Sequence, residues 1–239
     1  NKNVRLQMGG SDQWGNITTG TELIGRMDGG KAFALTAPLV TKSDGTKFGK
    51  SEKGNVWLDP TKTLPYTFYQ FWLNVTDEDA PKLIRVFTLL DRKTIEELEA
   101  QHNQDRSQRI LQKTLAKEVT TLVHSPEVYA KVLEASEFLF GKSTAESLAD
   151  VDEKLLAVLP RITFSRTELA AFPNVLEFLN ATTEKQENAD EKPLFPSKTE
   201  IRKLVAGNAV SFNKTKILDV MRSPDFQWFK DKYLLIQKG

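Results

Sequence analysis

The sequence predicts three successive parts: a parallel α/β unit, a helical bundle and a small α+β unit. Strand, helix and strand patterns fill roughly the first forty residues, which is the arrangement of a βαβ unit. A 3.6-residue apolar period then runs from Leu64 to Phe140, and short strand patterns return after Pro196. The predicted boundaries of the three parts are 1–62, 63–142 and 143–239, with a folded core at 194–239 in the last.

The first part combines the segments "VRLQMGG", "WGNITTGTELIGRMDGG" and "KAFALTAPLV". The outer two alternate apolar residues as strands do, and the middle one has the apolar spacing of a helix that ends at Gly29 and Gly30. Ligands of such sheets bind beyond the carboxyl ends of the strands. We therefore expect Gly9 to Gln13, directly after the first strand, at a ligand-binding edge.

The second part is predicted to be four or five helices whose apolar faces form a core rather than a cofactor site. Asp91 has the position of an N-cap before "KTIEELEA". The predicted core faces are Leu83, Ile84, Phe87 and Leu90, then Leu111, Leu115, Val119 and Leu122, then Val128, Val132, Ala135 and Leu139.

The third part begins with short helices predicted around 153–159, 166–172 and 174–181. Ser197 and Glu200 then have the spacing of a capping box, which predicts a helix start. The segments "AVSFN" and "KYLLIQKG" are predicted strands, with a turn at "NKT".

Composition excludes several classes of protein. Hydrophobic residues make up 39% of the chain and charged residues 27%, as in soluble globular proteins. No apolar run approaches the roughly 20 residues of a membrane helix. The absence of cysteine excludes disulfides and thiolate metal sites, and the two histidines, His102 and His124, are far apart. We expect no protein-held metal and a cytoplasmic location.

Charge is unevenly distributed. Residues 192–239 carry ten Lys/Arg against four Asp/Glu, whereas the preceding residues carry 23 against 28. A basic end on an acidic body suggests a polyanion partner. Chance clustering on a solvated surface explains the charge count equally well.

The segment "DGTKFGKS" at 44–51 resembles a phosphate-binding P-loop but does not match one. Gly45 and Gly49 are separated by three residues, where the P-loop requires four before its Gly-Lys pair. The following "EKGNVWLDP" does not have the helical pattern that a P-loop needs. Two lysines three apart on a loop can also close over a triphosphate and stabilise its developing charge.

Two segments indicate a protein family more specifically together than either does alone: "GGSDQWGN" at 9–16 and "KFGKS" at 47–51. Alone, the first is compatible with a helix cap and the second with a solvated loop. With "LTAPLVTKSDGTKFGKS", "PYTFYQFWLN" and "KTLAKEVTTLVH", they make the chain resemble the bacterial tyrosyl-tRNA synthetases, which are class I enzymes. The resemblance covers nearly the whole chain and implies the second half of a Rossmann-like catalytic domain. It also identifies "KFGKS" with the family's KMSKS loop.

The resemblance implies a role for each matching residue. Asp12 is expected to bind the ribose of ATP or of the adenylate, with Gly10 against the adenylate and Leu39 and Val40 on adenine. Lys47 and Lys50 are expected to hold the β- and γ-phosphates, and the family loop also includes Phe48 and Gly49. The expected tyrosine-binding residues are Gln7 and Gln13, and the expected supporting donors are Thr46 and Ser51.

The implied reaction has two steps. The carboxylate of tyrosine attacks the α-phosphorus of ATP, which carries Mg²⁺, and pyrophosphate leaves; the tyrosyl group then passes to tRNA(Tyr). The chain lacks the family's HIGH-type motif, because neither His102 in "AQHNQ" nor His124 in "LVHSP" fits it. We therefore expect that motif and the residues that contact the phenol hydroxyl upstream of Asn1. We also expect the fragment to be inactive alone and the full-length protein to be a homodimer.

The segment "SKTEIRKLVAGNAVSFN" resembles the RNA-binding domain named after ribosomal protein S four. The resemblance implies contacts with tRNA phosphates, which fits the basic charge of this region. The expected tRNA-binding residues are Lys198, Arg202, Lys203, Lys214 and Lys216. Two alternatives remain: an RNA-binding protein that uses a synthetase scaffold without catalysis, and a tryptophanyl-tRNA synthetase.

Overall fold

A computed structural model describes residues 4–45, 48, 55–141, 148, 151–185 and 193–239 of the chain. They belong to two compact units, Asn1–Ser51 and Glu52–Gly239, and each is described separately. No helix within the described residues is both long and apolar enough to cross a membrane.

The first unit contains β1 (Leu6–Gly10), α1 (Trp14–Asp28) and β2 (Phe33–Ala37). The two strands are parallel neighbours, with Leu6 opposite Phe33 and Gly10 opposite Ala37. Helix α1 ends at Gly29, whose φ of 61° lies in the left-handed region that glycine adopts without strain. The predicted strand–helix–strand order and its parallel pairing are therefore confirmed.

Helix α1 packs against one face of this small sheet through Ile17, which is 3% exposed. The other face is apolar and open in the described structure, because Leu6, Met8, Phe33 and Leu35 are all exposed. The apolar core of the first unit, as far as it is described, is therefore built around a single helix–sheet contact.

The described residues of the second unit begin with a bundle of five helices, in which the helix Ile110–His124 packs against the other four. Leu111, Leu115 and Val119 of this helix are buried, and so are Val132 and Ala135 of the next helix. The predicted helical content of this region is confirmed. The bundle helices are α2 (Pro65–Leu73), α3 (Ala80–Phe87), α4 (Arg92–Gln104), α5 (Ile110–His124) and α6 (Pro126–Phe140).

One predicted core position in the bundle, Leu122, is wrong. It is 62% exposed, because it lies in the last turn of α5, where the neighbouring described helices do not cover it. Four other predicted core residues are only half-buried: Phe87, Leu90, Val128 and Leu139. Leu90 also lies beyond α3, which ends at Phe87 because Thr88 adopts an extended backbone. The spacing of apolar residues alone does not show where a helix ends or which of its turns the neighbouring helices cover.

In its described residues, the remainder of the second unit contains four short helices and a three-stranded antiparallel sheet. The central strand of the sheet, Val210–Phe212, lies between Thr215–Lys216 and Ile236–Lys238. Its apolar core joins α9, α10 and the sheet, and includes Phe178, Phe195, Ile201 and Phe212. Since α9 belongs to this core, the packed region extends beyond the predicted 194–239. We call 175–239 the tail. The elements are α7 (Glu153–Leu156), α8 (Arg166–Ala171), α9 (Val175–Glu184), α10 (Lys198–Ala206), β3 (Val210–Phe212), β4 (Thr215–Lys216) and β5 (Ile236–Lys238).

Side-chain caps fix several helix starts. Asp91 accepts a hydrogen bond from the Thr94 amide at 2.8 Å, as predicted. Ser197 likewise accepts from the Glu200 amide at 3.2 Å. A complete capping box, which the sequence analysis missed, joins Ser165 and Glu168 at the start of α8.

The Glu168 carboxylate also pairs with Lys185 of α9 at 2.5 Å. The Lys185 hydrogen bond and the two hydrogen bonds from Ser165 lower the pKa of Glu168 to about 2. Because the folded-state pKa lies below the ordinary value, this carboxylate stabilises the fold above about pH 4.5, and the contribution is lost as the pH falls toward 2.

Glu168→Gln is therefore expected to reduce the loss of stability between pH 4.5 and pH 2. Urea unfolding followed by circular dichroism across that range measures the effect. Glu134→Gln, at an exposed glutamate of α6, serves as the control. Identical pH profiles for Glu168→Gln and the parent protein would contradict the assignment.

Candidate functional site

The candidate site lies at the carboxyl edge of the β1–β2 sheet. Gly10 and Ala37 are paired at the ends of two parallel strands, so the segments that follow them leave the sheet side by side. After β1 comes a 3₁₀ turn, Ser11–Gln13, and after β2 come Pro38, Leu39 and Val40. The edge predicted from the strand pattern is thus the edge at which two predicted nucleotide-binding segments meet.

Gly10 lies in close contact with both segments. A Cβ atom at this position would lie 2.7 Å from the Asp12 carboxylate oxygen Oδ1 and 2.7 Å from Leu39 Cδ2. Real Cβ atoms do not approach other heavy atoms so closely, so any larger residue would displace Asp12 and Leu39. Three residues assigned to the same nucleotide from the sequence are therefore neighbours in space.

Gly9 performs a similar role on the side of the sheet that faces α1. A Cβ atom there would lie 2.9 Å from Ile17 Cδ1 and 3.3 Å from Gln13 Cβ. The missing side chain lets the start of α1, including Gln13, pack closely against the strand end. Gly9 and Gly10 lie at the ligand-binding edge that the sequence predicts, and the structure adds this packing requirement.

The orientation of the Gln13 amide is set by a residue that the sequence analysis did not assign. Asn16 Nδ2 donates to Gln13 Oε1 at 3.0 Å. With its oxygen engaged in this way, the Gln13 amide has its N–H groups directed elsewhere as donors. The three-residue spacing within "QWGN", which puts both side chains on one turn of the helix, was the available signal for this pair.

The lysine loop begins at the same edge. Gly45, with φ of 81°, closes a turn by donating to the Lys42 carbonyl, and the Phe48 amide donates to the Val40 carbonyl at 3.0 Å. Val40 and Phe48, both predicted to contact the nucleotide, are therefore linked through their backbones. Five predicted loop residues lie outside the described residues: Thr46, Lys47, Gly49, Lys50 and Ser51.

Gln7 lies farther from the edge than the other predicted site residues. It is exposed in β1, where it is paired with Ala34. Because strand residues alternate, Gln7 shares the face of Gly9, two residues before it. The two histidines lie in the helical bundle instead: His102 is buried in α4, and His124 packs edge-on against Phe68 with ring centroids 4.8 Å apart.

The five basic residues predicted to bind tRNA differ in their surroundings. Lys198 forms two hydrogen bonds with the Glu177 carboxylate, at 2.7 and 2.8 Å. Lys214 donates to two backbone carbonyls at the end of α6. The other three side chains, Arg202, Lys203 and Lys216, are exposed.

An open cavity of about 450 Å³ lies beside the start of α5. Arg109 donates from its guanidinium to the Leu73 carbonyl at 2.6 Å. Gln112, only 1% exposed, donates to Asp77 at 2.5 Å, while its Oε1 has no hydrogen-bond partner. The cavity therefore offers both donors and acceptors. Its lining residues are Asn74, Val75, Thr76, Asp77, Arg106, Ser107, Arg109 and Gln112.

A fold with a βαβ unit, a ligand edge of this kind and a following helical bundle is that of a class I synthetase catalytic domain. The family model described as tRNA synthetases class I (W and Y) matches residues 1–141. The chain belongs to this family.

Relatives that match the chain include bacterial proteins named tyrosine–tRNA ligase. The protein of Cytophaga hutchinsonii is 53% identical over 242 residues, covering 100% of this chain and 55% of the relative. The Parabacteroides distasonis protein is 54% identical over 240 residues, which cover 98% of this chain and 54% of that protein. Among solved structures, a truncated mitochondrial tyrosyl-tRNA synthetase of Aspergillus nidulans has a TM-score of 0.48 at 28% identity, covering 57% of this chain and 39% of the other. The chain spans about half the length of the curated relatives.

Gly10→Ala is expected to weaken ATP binding by the complete protein that contains this chain, because the new methyl group displaces both Asp12 and Leu39. Because both displaced atoms are side-chain ends at an exposed edge, the effect on the stability of the fold is expected to be small. Isothermal titration with a non-hydrolysable ATP analogue and thermal denaturation measure the two effects.

Gly20→Ala is the matched control for that variant. A Cβ atom at Gly20 meets no atom within 4 Å, and alanine within a helix stabilises it by roughly 0.5–1 kcal/mol relative to glycine. ATP affinity as high in Gly10→Ala as in Gly20→Ala would argue against the predicted role of Asp12 and Leu39 in binding ATP.

Proposed function

We propose that the complete protein containing this chain is a tyrosine–tRNA ligase that makes tyrosyl-adenylate from tyrosine and ATP and then charges tRNA(Tyr). The observation that carries this proposal is identity of 53% over the whole chain with a protein named tyrosine–tRNA ligase. The family description covers tryptophan and tyrosine enzymes alike, so the choice of tyrosine depends on these relatives.

The geometry of the sheet edge supports the proposed nucleotide site. Asp12 and Leu39 both lie against Gly10, which suits a ribose held by the carboxylate and an adenine packed on apolar residues. The backbone hydrogen bond from Phe48 to Val40 keeps these two apolar residues together at the base of the lysine loop. Gln13, with its oxygen engaged by Asn16, presents amide donors that suit the carboxylate of the amino acid.

The proposed chemistry needs no protein nucleophile. The tyrosine carboxylate forms a bond to the α-phosphorus, the bond to pyrophosphate breaks, and positioning and charge stabilisation lower the barrier. Lys47 and Lys50 would neutralise the departing phosphates, with Thr46 and Ser51 as supporting donors. Mg²⁺ bound to ATP shares this charge. We propose a cytoplasmic location, because the relatives above are bacterial and bacteria make protein in the cytoplasm, and a homodimer for the complete protein.

Lys50→Ala in the complete protein is expected to suppress tyrosine-dependent ATP–pyrophosphate exchange by about 100-fold. The loss corresponds to about 3 kcal/mol for one charged donor in the transition state. Tyrosine affinity is expected to change little. Lys31→Ala, at an exposed lysine of the same unit, serves as the control.

Wild-type exchange in Lys50→Ala would overturn the assignment of the lysine loop. The amino-acid dependence of the parent protein tests the wider proposal. Exchange driven by tryptophan instead of tyrosine would assign the protein to the other half of the family. No exchange with any amino acid would favour the RNA-binding scaffold without catalysis.

The helical bundle is proposed to contact the anticodon region of tRNA. The cavity beside α5 supports this role, because Arg106 and Arg109 supply positive charge and the buried Gln112 amide has an unpartnered acceptor. Donors and acceptors at one place suit the edge of an unstacked base, which is how proteins read single-stranded RNA.

Residues 194–239 of the tail are proposed to be an S four-type domain that binds tRNA phosphates. Its helix α10, followed by the β3–β4 hairpin, carries the exposed Arg202, Lys203 and Lys216. Lys198 and Lys214 are engaged with protein atoms in this structure. We therefore assign the main phosphate contacts to the three exposed residues.

Replacing Arg202, Lys203 and Lys216 together with alanine is expected to weaken tRNA binding and to spare adenylate formation. A plot of the logarithm of the binding constant against the logarithm of the salt concentration becomes less steep by roughly 0.7–0.9 for each phosphate contact that is lost. Filter binding over a range of salt concentrations measures the slope. Lys198→Ala is the comparison, since that lysine is paired with Glu177. An unchanged slope in the triple variant would exclude this surface.

Side-chain variants test RNA binding more directly than a deletion of all residues from Pro196 onward. Val175, Leu176 and Leu179 of α9 are buried against α10 and β3. Deletion would expose this apolar surface, so lost activity would not separate RNA contact from stability.

A further inference from the structure

The β3–β4 hairpin contains a lysine at a position that favours glycine. Phe212 pairs with Thr215, so the loop consists of Asn213 and Lys214 alone. Their φ angles are 47° and 68°, both in the left-handed region. Two-residue turns with this geometry prefer Asn followed by Gly. Asn213 fits the pattern, whereas Lys214 does not, which calls for a reason in the surrounding structure.

The side chain of Lys214 supplies that reason. Its Nζ atom donates to the carbonyls of Phe138 and Leu139, at 2.8 and 2.7 Å, and lies 5.6 Å from the Phe138 ring centroid. Both carbonyls belong to the last turn of α6, where helix carbonyls lack intrahelical partners and the helix dipole is negative. Partial burial at this contact lowers the pKa of the Lys214 ammonium.

Other polar contacts join the tail to the preceding helices near this point. Gln237 of β5 donates from Nε2 to the Leu139 carbonyl at 2.7 Å. Lys232 pairs with Glu153 of α7 at 3.0 Å, and the Tyr233 hydroxyl lies 3.4 Å from the same carboxylate. Leu139 therefore accepts from two side chains of the tail, which are far apart in sequence.

We propose that Lys214 is a docking residue that fastens the tail to the C-terminal end of α6. A glycine would satisfy the hairpin turn but would remove the ammonium from the helix end. Docking fixes the direction in which Arg202, Lys203 and Lys216 face relative to the helical bundle. The importance of this orientation for RNA binding rests on the proposed function, whereas the docking of the tail on α6 does not.

The absence of cysteine makes the docking directly measurable. Glu134 on α6 and Thr199 on α10 are both exposed. In the double variant Glu134→Cys, Thr199→Cys, a pair of nitroxide labels reports the distance between α6 and the tail. Double electron–electron resonance on the full chain is expected to give one narrow distance distribution. Adding Lys214→Gly is expected to broaden that distribution at least two-fold.

Lys216→Gly is the matched control. Lys216 lies two residues after Lys214 in the same hairpin and is exposed, so this variant removes the same charge without removing a contact to α6. It is expected to leave the distance distribution narrow. Lys214→Met keeps the backbone requirement at residue 214 and removes only the charge, so it is expected to broaden the distribution as Lys214→Gly does. Circular dichroism checks that each variant is folded.

A narrow, unshifted distribution in folded Lys214→Gly and Lys214→Met would overturn the docking role. The RNA readout separates this result from the proposed function. Lys216→Gly is expected to weaken binding of a tRNA(Tyr) transcript without altering the distance. If it binds the transcript as the parent does, the proposed RNA surface fails while the docking role stands.

Discussion

The parallel pairing of β1 with β2 is the constraint on which the rest of the candidate site depends. Parallel strands send their carboxyl ends to the same edge, so the residues after Gly10 and after Ala37 become neighbours although the whole of α1 separates them in sequence. Asp12, Leu39 and, through Val40, Phe48 are all positioned by this one pairing. A slip of the register by one residue would turn Gly10 toward the other face and separate these groups.

Glycine at positions 9 and 10 makes that edge possible. One glycine lets α1 begin close to the strand, and the other leaves space that Asp12 and Leu39 fill. Both are requirements of packing within the first unit, and they coincide with the requirement for close approach by a ligand. The same two residues therefore serve folding and the proposed nucleotide site together.

Basic residues in the tail illustrate how similar side chains take different roles. Lys198 lies beside a carboxylate, Lys214 beside helix carbonyls and Lys216 in solvent. In the sequence all three are lysines of one basic segment. Net charge indicates that a polyanion is a plausible partner, but the partner of each ammonium is decided by elements as distant as α6 and α9.

The sequence by itself determined the order of the elements, the parallel α/β start, the cap at Asp91 and the family, because periodicity, caps and short motifs are local properties of the chain. It did not determine that Leu122 is exposed, that Asn16 orients Gln13, or that Lys214 reaches the end of α6. Those features depend on which surfaces meet after folding. Burial and hydrogen bonding between residues as far apart as Phe138 and Lys214 are set by tertiary packing, which local pattern does not encode.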